Sequence, residues 1–151
     1  MDTEARLSLF RDMILCCHEL YLWTYDSNFH LISSNCPEQT TIDSLFVMSH
    51  RREEFDRQIL SGHTPIIFTN EMGLMWVMVP CFEADEFIRL YVLGPFFVDD
   101  IPPKSIEAQL NKHSLSISLR QEFLRFLRRL PIISLNRIFE YAVMLHFCVT
   151  Q

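Results

Sequence analysis

Residues able to do chemistry are spread thinly along this chain of 151 residues. The histidines stand at 18, 30, 50, 63, 113 and 146, and none pairs with a second ligand type one helical turn away on a convincing face. Cys16-Cys17-His18 is the one local cluster of metal-ligand types. On a helix, residues one and two apart do not face each other, and no C-x-x-C spacing exists, so no zinc site is expected. Glycine occurs only at 62, 73 and 94, which leaves no G-x-G-x-x-G and no P-loop to cradle a phosphate. G-x-S-x-G and H-E-x-x-H are also absent. Asp99-Asp100 brings two carboxylates together ahead of Ile101-Pro102, where a solvated approach to a helix explains them better than a bound cation. No acid, base and nucleophile converge, so the chain is not expected to be an enzyme, and no metal or cofactor is expected.

Two softer features remain. Arg125, Arg128 and Arg129, with Arg120 nearby, form the one dense basic group. They make either a solvated helix face or a contact for phosphate or a partner domain. The helix pair around them makes a poor helix-turn-helix, because its connection holds no glycine. The aromatic and thioether side chains carry more. Alternation along a strand puts Tyr21, Trp23 and Tyr25 on one face, Trp76 and Met78 share a face of a second strand, and Phe68 stands on the strand beside it. Such a set lines a pocket for a small apolar or aromatic molecule, or it fills a core. Methionine adapts to variable contents, and buried Trp and Tyr bring polar atoms that need partners.

The elements that must position these residues follow from periodicity. Leu7, Phe10, Ile14 and Cys17 recur at three and four, predicting a helix from Thr3 to Glu19. Residues 20–25 and 29–33 are strands around the turn Asp26-Ser27-Asn28. Pro37 opens a helix to Met48, and Ser49 caps another, with Phe55 and Ile59 on one face and Gly62 at its end. Three strands follow, over 65–70, 74–82 and 87–93; Gly73 serves the first turn and Gly94-Pro95 ends the last strand. Pro102-Pro103 opens a helix to Lys112. Ser118 begins the next, with Phe123, Phe126, Leu127 and Leu130 as its buried stripe. Ser134 caps a final helix to Val149.

That last helix is apolar nearly all round. Leu135, Ile138, Phe139, Ala142, Leu145 and Val149 are expected to face the core. The opposite face begins with Arg137 and Glu140 and then turns apolar at Met144, Phe147 and Cys148, with no Gly, Pro or basic last turn to cap the end. Val143, Met144, Phe147 and Cys148 are therefore the expected partner surface, and a homodimer is the expected assembly. His146, near the core-facing stripe, is expected to be a hydrogen-bonded buried histidine; a pH switch is the alternative.

Bulk composition narrows the class. With a net charge of −6, this segment is a poor nucleic-acid binder by itself. Five cysteines, an odd number with two adjacent, argue against a disulfide framework and suit a reducing cytoplasm. No signal peptide and no membrane-spanning run is expected.

The element order places five strands in two runs, joined by a helical insertion. This is the order of PAS and GAF domains, so the expected fold is α+β. It consists of a five-stranded antiparallel sheet in the order 2-1-5-4-3 with flanking N- and C-terminal helices, all in one domain over 1–151. The motifs Leu20-Tyr21-Leu22-Trp23-Thr24-Tyr25-Asp26, Pro65-Ile66-Ile67 with Gly73-Leu74-Met75-Trp76, and Leu93-Gly94-Pro95-Phe96-Phe97 carry a further likeness. With Leu130-Pro131 and Tyr141-Ala142-Val143-Met144-Leu145-His146, they resemble the N-terminal sensor domain of AraC-type transcription regulators from gut Firmicutes. The resemblance implies a PAS- or GAF-like domain that binds a signal, dimerises, or both. It implies that the helix over 134–150 leads toward a helix-turn-helix region that is not in this chain and that would supply any DNA contact. An interaction module without a small-molecule ligand is the alternative.

Overall fold

A computed structural model describes residues 2–16, 20–36, 62–70, 72–99, 103–112 and 115–150. The helices expected over 37–48 and 49–61, and the group Cys17-His18, lie outside the described residues. The described elements are α1 (Thr3–Leu15), β1 (Tyr21–Asp26), β2 (Leu31–Ser34), β3 (Ile66–Thr69), β4 (Met75–Glu83), β5 (Glu86–Phe96), α2 (Pro103–Asn111), α3 (Ile117–Arg128) and α4 (Leu135–Thr150). The strands form one antiparallel sheet in the order β2-β1-β5-β4-β3. The class is α+β, with the sheet order and flanking terminal helices that the sequence predicts.

Side-chain alternation sorts the sheet into two faces. Trp23, Tyr25, Phe68, Trp76, Met78, Leu90 and Val92 gather with Ile106 and Leu110 of α2 and Phe123, Phe126 and Leu127 of α3. Val77, Val79, Tyr91 and Leu93 gather with Leu7, Phe10 and Ile14 of α1 and Ile138, Tyr141, Ala142 and Leu145 of α4. The sheet thus carries helices on both faces.

Three short-range devices set the strand register. In the first hairpin, Asp26 Oδ1 accepts from the backbone N–H groups of Asn28 (2.8 Å) and His30 (2.9 Å). In the second, the buried Asn70 does the same for Met72 and Leu74, both at 3.0 Å. Gly73, at φ 82, takes the left-handed position expected of it. The third turn has only Ala84 and Asp85 between paired Glu83 and Glu86, and both central residues have positive φ.

Gly94-Pro95 does not end β5, contrary to expectation. The strand continues to Phe96 through a cis Gly94–Pro95 bond, and Phe96 pairs with Met75. A bulge between Met75 and Val77 absorbs the irregularity, which is how a sheet accommodates a residue without an N–H. Beyond β5, the Phe97 N–H donates to Pro131 O and the Ile133 N–H donates to Phe97 O, tying the sheet to the start of α4.

The helices differ from expectation at their ends and on one face. α1 ends at Leu15 with Cys16 as its cap. Ser116, not Ser118, caps α3, its Oγ accepting from Leu119 N. In α4 the buried residues are Ile138, Tyr141, Ala142, Leu145, Cys148 and Val149, whereas Leu135 and Phe139 are exposed. With apolar residues on most of the helix surface, more than one stripe fits the period. Packing between β4 and α1 selects the one that is buried.

The backbone at Gly94 and the turn at Asp26 can each be tested. At Gly94, φ is +141, and an added Cβ would lie 2.9 Å from Met75 O. Gly94→Ala is expected to cost on the order of 2–5 kcal/mol in urea unfolding, from backbone strain and overpacking. Asp26 is held below its ordinary value of 3.8, most by the His30 backbone N–H; desolvation opposes this next, and the Asn28 N–H and the His30 charge add to the lowering. A lowered folded pKa gives stability that is present above the unfolded value and lost as pH falls through the folded one. The stability difference between wild type and Asp26→Asn is therefore expected to hold above about pH 4 and to shrink below it. A difference that grows on acidification would contradict this account.

Candidate functional site

The aromatic residues singled out in the sequence come together on the α2–α3 face. Trp23 and Trp76 are each 1% exposed, and Phe68, Met78 and Tyr25 are buried beside them. Tyr21 is half-buried against this cluster. Its ring stacks on Phe126 of α3 at 6.1 Å and stands edge-on to Trp23 at 6.4 Å. Phe68 and Trp76 lie 5.8 Å apart. The Trp23 Nε1–H donates to Gly94 O at 2.8 Å, so the indole's polar atom has an internal partner. Around these rings the described residues are packed as a core, with α3 laid on the sheet.

The second candidate surface lies on the other side of the sheet. An apolar groove of about 440 Å³ runs between α1 and α4, walled by Leu9, Phe10 and Met13 on one side and Val143, Met144 and Phe147 on the other. Val143 is 66% exposed and Phe147 58%, while Met144 is half-buried. Cys148 is not on the outer face as expected. It is buried on the groove floor, where its thiol reaches Arg6 O at 3.7 Å. The exposed Leu135 and Phe139 extend the ridge toward the start of α4 at four-residue spacing.

Arg6 completes this arrangement and was not legible as part of it. Its Nε donates to Cys148 O at 2.9 Å, and Cys81 Sγ lies 4.0 Å from Val149 O. The end of α4, which lacks a basic last turn of its own, thus receives a guanidinium from α1, favourable both as a cap and toward the helix dipole. Leu9 and Met13 did carry a sequence signal: they are apolar, four apart, and off the Leu7–Phe10–Ile14 stripe.

His146 is half-buried rather than buried, and its Nδ1, itself buried, has no hydrogen-bond partner among the described residues. The basic residues Arg125, Arg128 and Arg129 are exposed on α3, with Arg129 over the Phe126 ring at 5.9 Å. Among the described residues, no group of three or more His, Cys, Asp and Glu could hold a metal ion. Among them too, no helix is long and apolar enough to cross a membrane. Comparison with protein-family models, with curated proteins and with solved structures finds no match.

Burial pushes the Cys81 and Cys148 thiols above their ordinary 9.0, against a smaller pull from Arg89 and Arg6 respectively. The thiolate is the reactive form. Iodoacetamide at pH 8 is therefore expected to modify the exposed Cys16 well before Cys81 or Cys148, as followed by peptide mass mapping. Equal rates at Cys16 and Cys148 would mean that the end of α4 opens from α1.

Proposed function

We propose that the chain is the ligand-sensing, dimerisation and relay module of a transcription regulator of the AraC type it resembles, pairing through the α1–α4 face with a second copy of itself. The observation that carries this is the apolar ridge and groove on one surface. Leu9, Met13, Leu135, Phe139, Val143 and Phe147 are each between 43% and 66% exposed. Together they present on the order of 500 Å² per copy, or about 1,000 Å² in a pair, which is the size at which a specific interface begins. A two-fold interface needs one surface that carries both projections and recesses. Here Phe147 and Val143 project beside the groove they help to wall. α4 would then link the pairing surface to whatever follows it in the regulator, so that a change in dimer geometry is passed along the helix. In this reading, any DNA contact belongs to another domain and this chain performs no catalysis.

A second reading, an interaction module without a small-molecule ligand, is supported by the aromatic face: among the described residues Trp23, Phe68 and Trp76 are buried with α3, and the Trp23 N–H is already satisfied by Gly94.

Light scattering tests the pairing. The wild-type chain is expected to be a dimer at micromolar concentration. Phe147→Glu is expected to be monomeric with an unchanged folded circular-dichroism spectrum, because the side chain is exposed within the protomer. A wild-type chain that stays monomeric at high concentration would sink the proposal.

A further inference from the structure

Across α1 from the apolar groove lies a second cavity, of about 550 Å³, and its walls are polar. We propose that this cleft binds a small organic anion, a carboxylate or phosphate group on a short apolar body, and that α1 carries its occupancy to the pairing surface. The site stands on its own geometry; only its regulatory meaning rests on the sensor reading above.

The sheet forms one wall. Thr24 of β1 pairs with Ser33 of β2, so their side chains share a face, and Arg89 of β5 joins them two residues along β1. α1 forms the other wall with Ser8 and Arg11, three residues apart on one side of the helix. The Arg89 side chain is exposed, lies near the Cys81 thiol, and makes no hydrogen bond or ion pair among the described residues. Among the described residues Arg11 is held by Ser8 Oγ at 3.3 Å and by an exposed Asp12 at 3.9 Å, a pair of little strength. A guanidinium from a strand and one from a helix, with hydroxyls between them, make a donor-rich recess suited to a carboxylate or phosphate.

The neighbouring carboxylates do not cancel this. Asp26 lies across the ladder from Arg89 and keeps its charge, but it is turned to its own hairpin: its Oδ1 accepts from the amides of Asn28 and His30, its Oδ2 lies 3.6 Å from His30 Nδ1, and it does not line the cleft. Glu4 stands seven residues before Arg11, about 10 Å of helix rise away, which leaves the Arg11 end as the anionic seat. Leu7, Leu22 and the half-exposed Ile32 supply apolar surface for the rest of the molecule.

α1 is the shared wall. Ser8 and Arg11 face the cleft, while Leu9 and Met13 face the groove. One packed helix cannot tighten onto an anion on one flank without altering its position on the other. A ligand that favours one placement of α1 therefore shifts the pairing equilibrium.

Titration calorimetry and amide NMR on the whole chain test the site with four probes: hexanoate, hexyl phosphate, hexylammonium and hexanol. One or both anions are expected to bind saturably and to move the amides of Ser8, Thr24 and Ser33, and the tighter anion identifies the headgroup. Arg89→Gln and Arg11→Gln are each expected to weaken binding about tenfold, with unchanged melting curves. Absence of saturation, equal binding of hexylammonium or hexanol, unchanged affinity in both variants, or shifts confined to Trp23 and Trp76 would overturn the site. Light scattering with and without the bound anion is expected to show a changed dimer dissociation constant. An unchanged constant would overturn the coupling through α1 alone. Binding is read whatever the oligomeric state, so the site and the pairing proposal can fail separately.

Discussion

β4 and β5 are apolar on both faces, and nearly every other feature of the molecule answers that constraint. Val77, Val79, Tyr91 and Leu93 point one way; Met78, Leu90 and Val92 point the other. An antiparallel sheet often leaves one face to water, but these two central strands cannot. Helices must cover both sides, and the chain divides them accordingly, with α2 and α3 on one face and α1 with α4 on the other. The bulge opposite Gly94-Pro95 lets β5 keep its place between β1 and β4 while the Gly94 carbonyl takes the Trp23 N–H. The same strand continues into the bridge from Phe97 to Ile132, which delivers the chain to α4.

The two surfaces proposed for pairing and ligand binding are both by-products of that covering. α1 and α4 bury the central strands but leave their own outer flanks uncovered. On the flank shared with α4, α1 presents Leu9 and Met13, and an apolar groove remains. On the flank toward β1 and β2, it lies over Thr24, Ser33 and Arg89, and a polar cleft remains. Arg6 holds the two helices together from within, joining the first turns of α1 to the carbonyl end of α4. Pairing and ligand binding would therefore converge on one thirteen-residue helix.

Much of the fold was legible because its causes are local. The alternation at 20–25, the two-sided apolar run at 74–82 and the turn residues at 26–28 and 73 act over a few positions, whereas the sheet order was expected from the likeness of the element order to PAS and GAF domains. The aromatic set was also legible as a set: Trp23, Tyr25, Phe68, Trp76 and Met78 share a cluster, with Tyr21 against it. Whether a cluster is a pocket or a core is not a local property. It depends on what lies over it, and over Tyr21 that is Phe126, more than a hundred residues later in the chain.

The last helix separates the two kinds of information most clearly. By itself the sequence determined that a helix starts after Ser134 and that its surface is apolar almost all round. Only the tertiary structure decided which apolar stripe is inside. It turned Tyr141 and Cys148 inward and Leu135 and Phe139 outward, and it supplied the missing cap through Arg6. Helical periodicity fixes which residues lie side by side but leaves open the rotation of the helix about its axis. When the apolar surface is that broad, rotation is set by the neighbours it packs on, here β4 and α1, and they are distant in sequence.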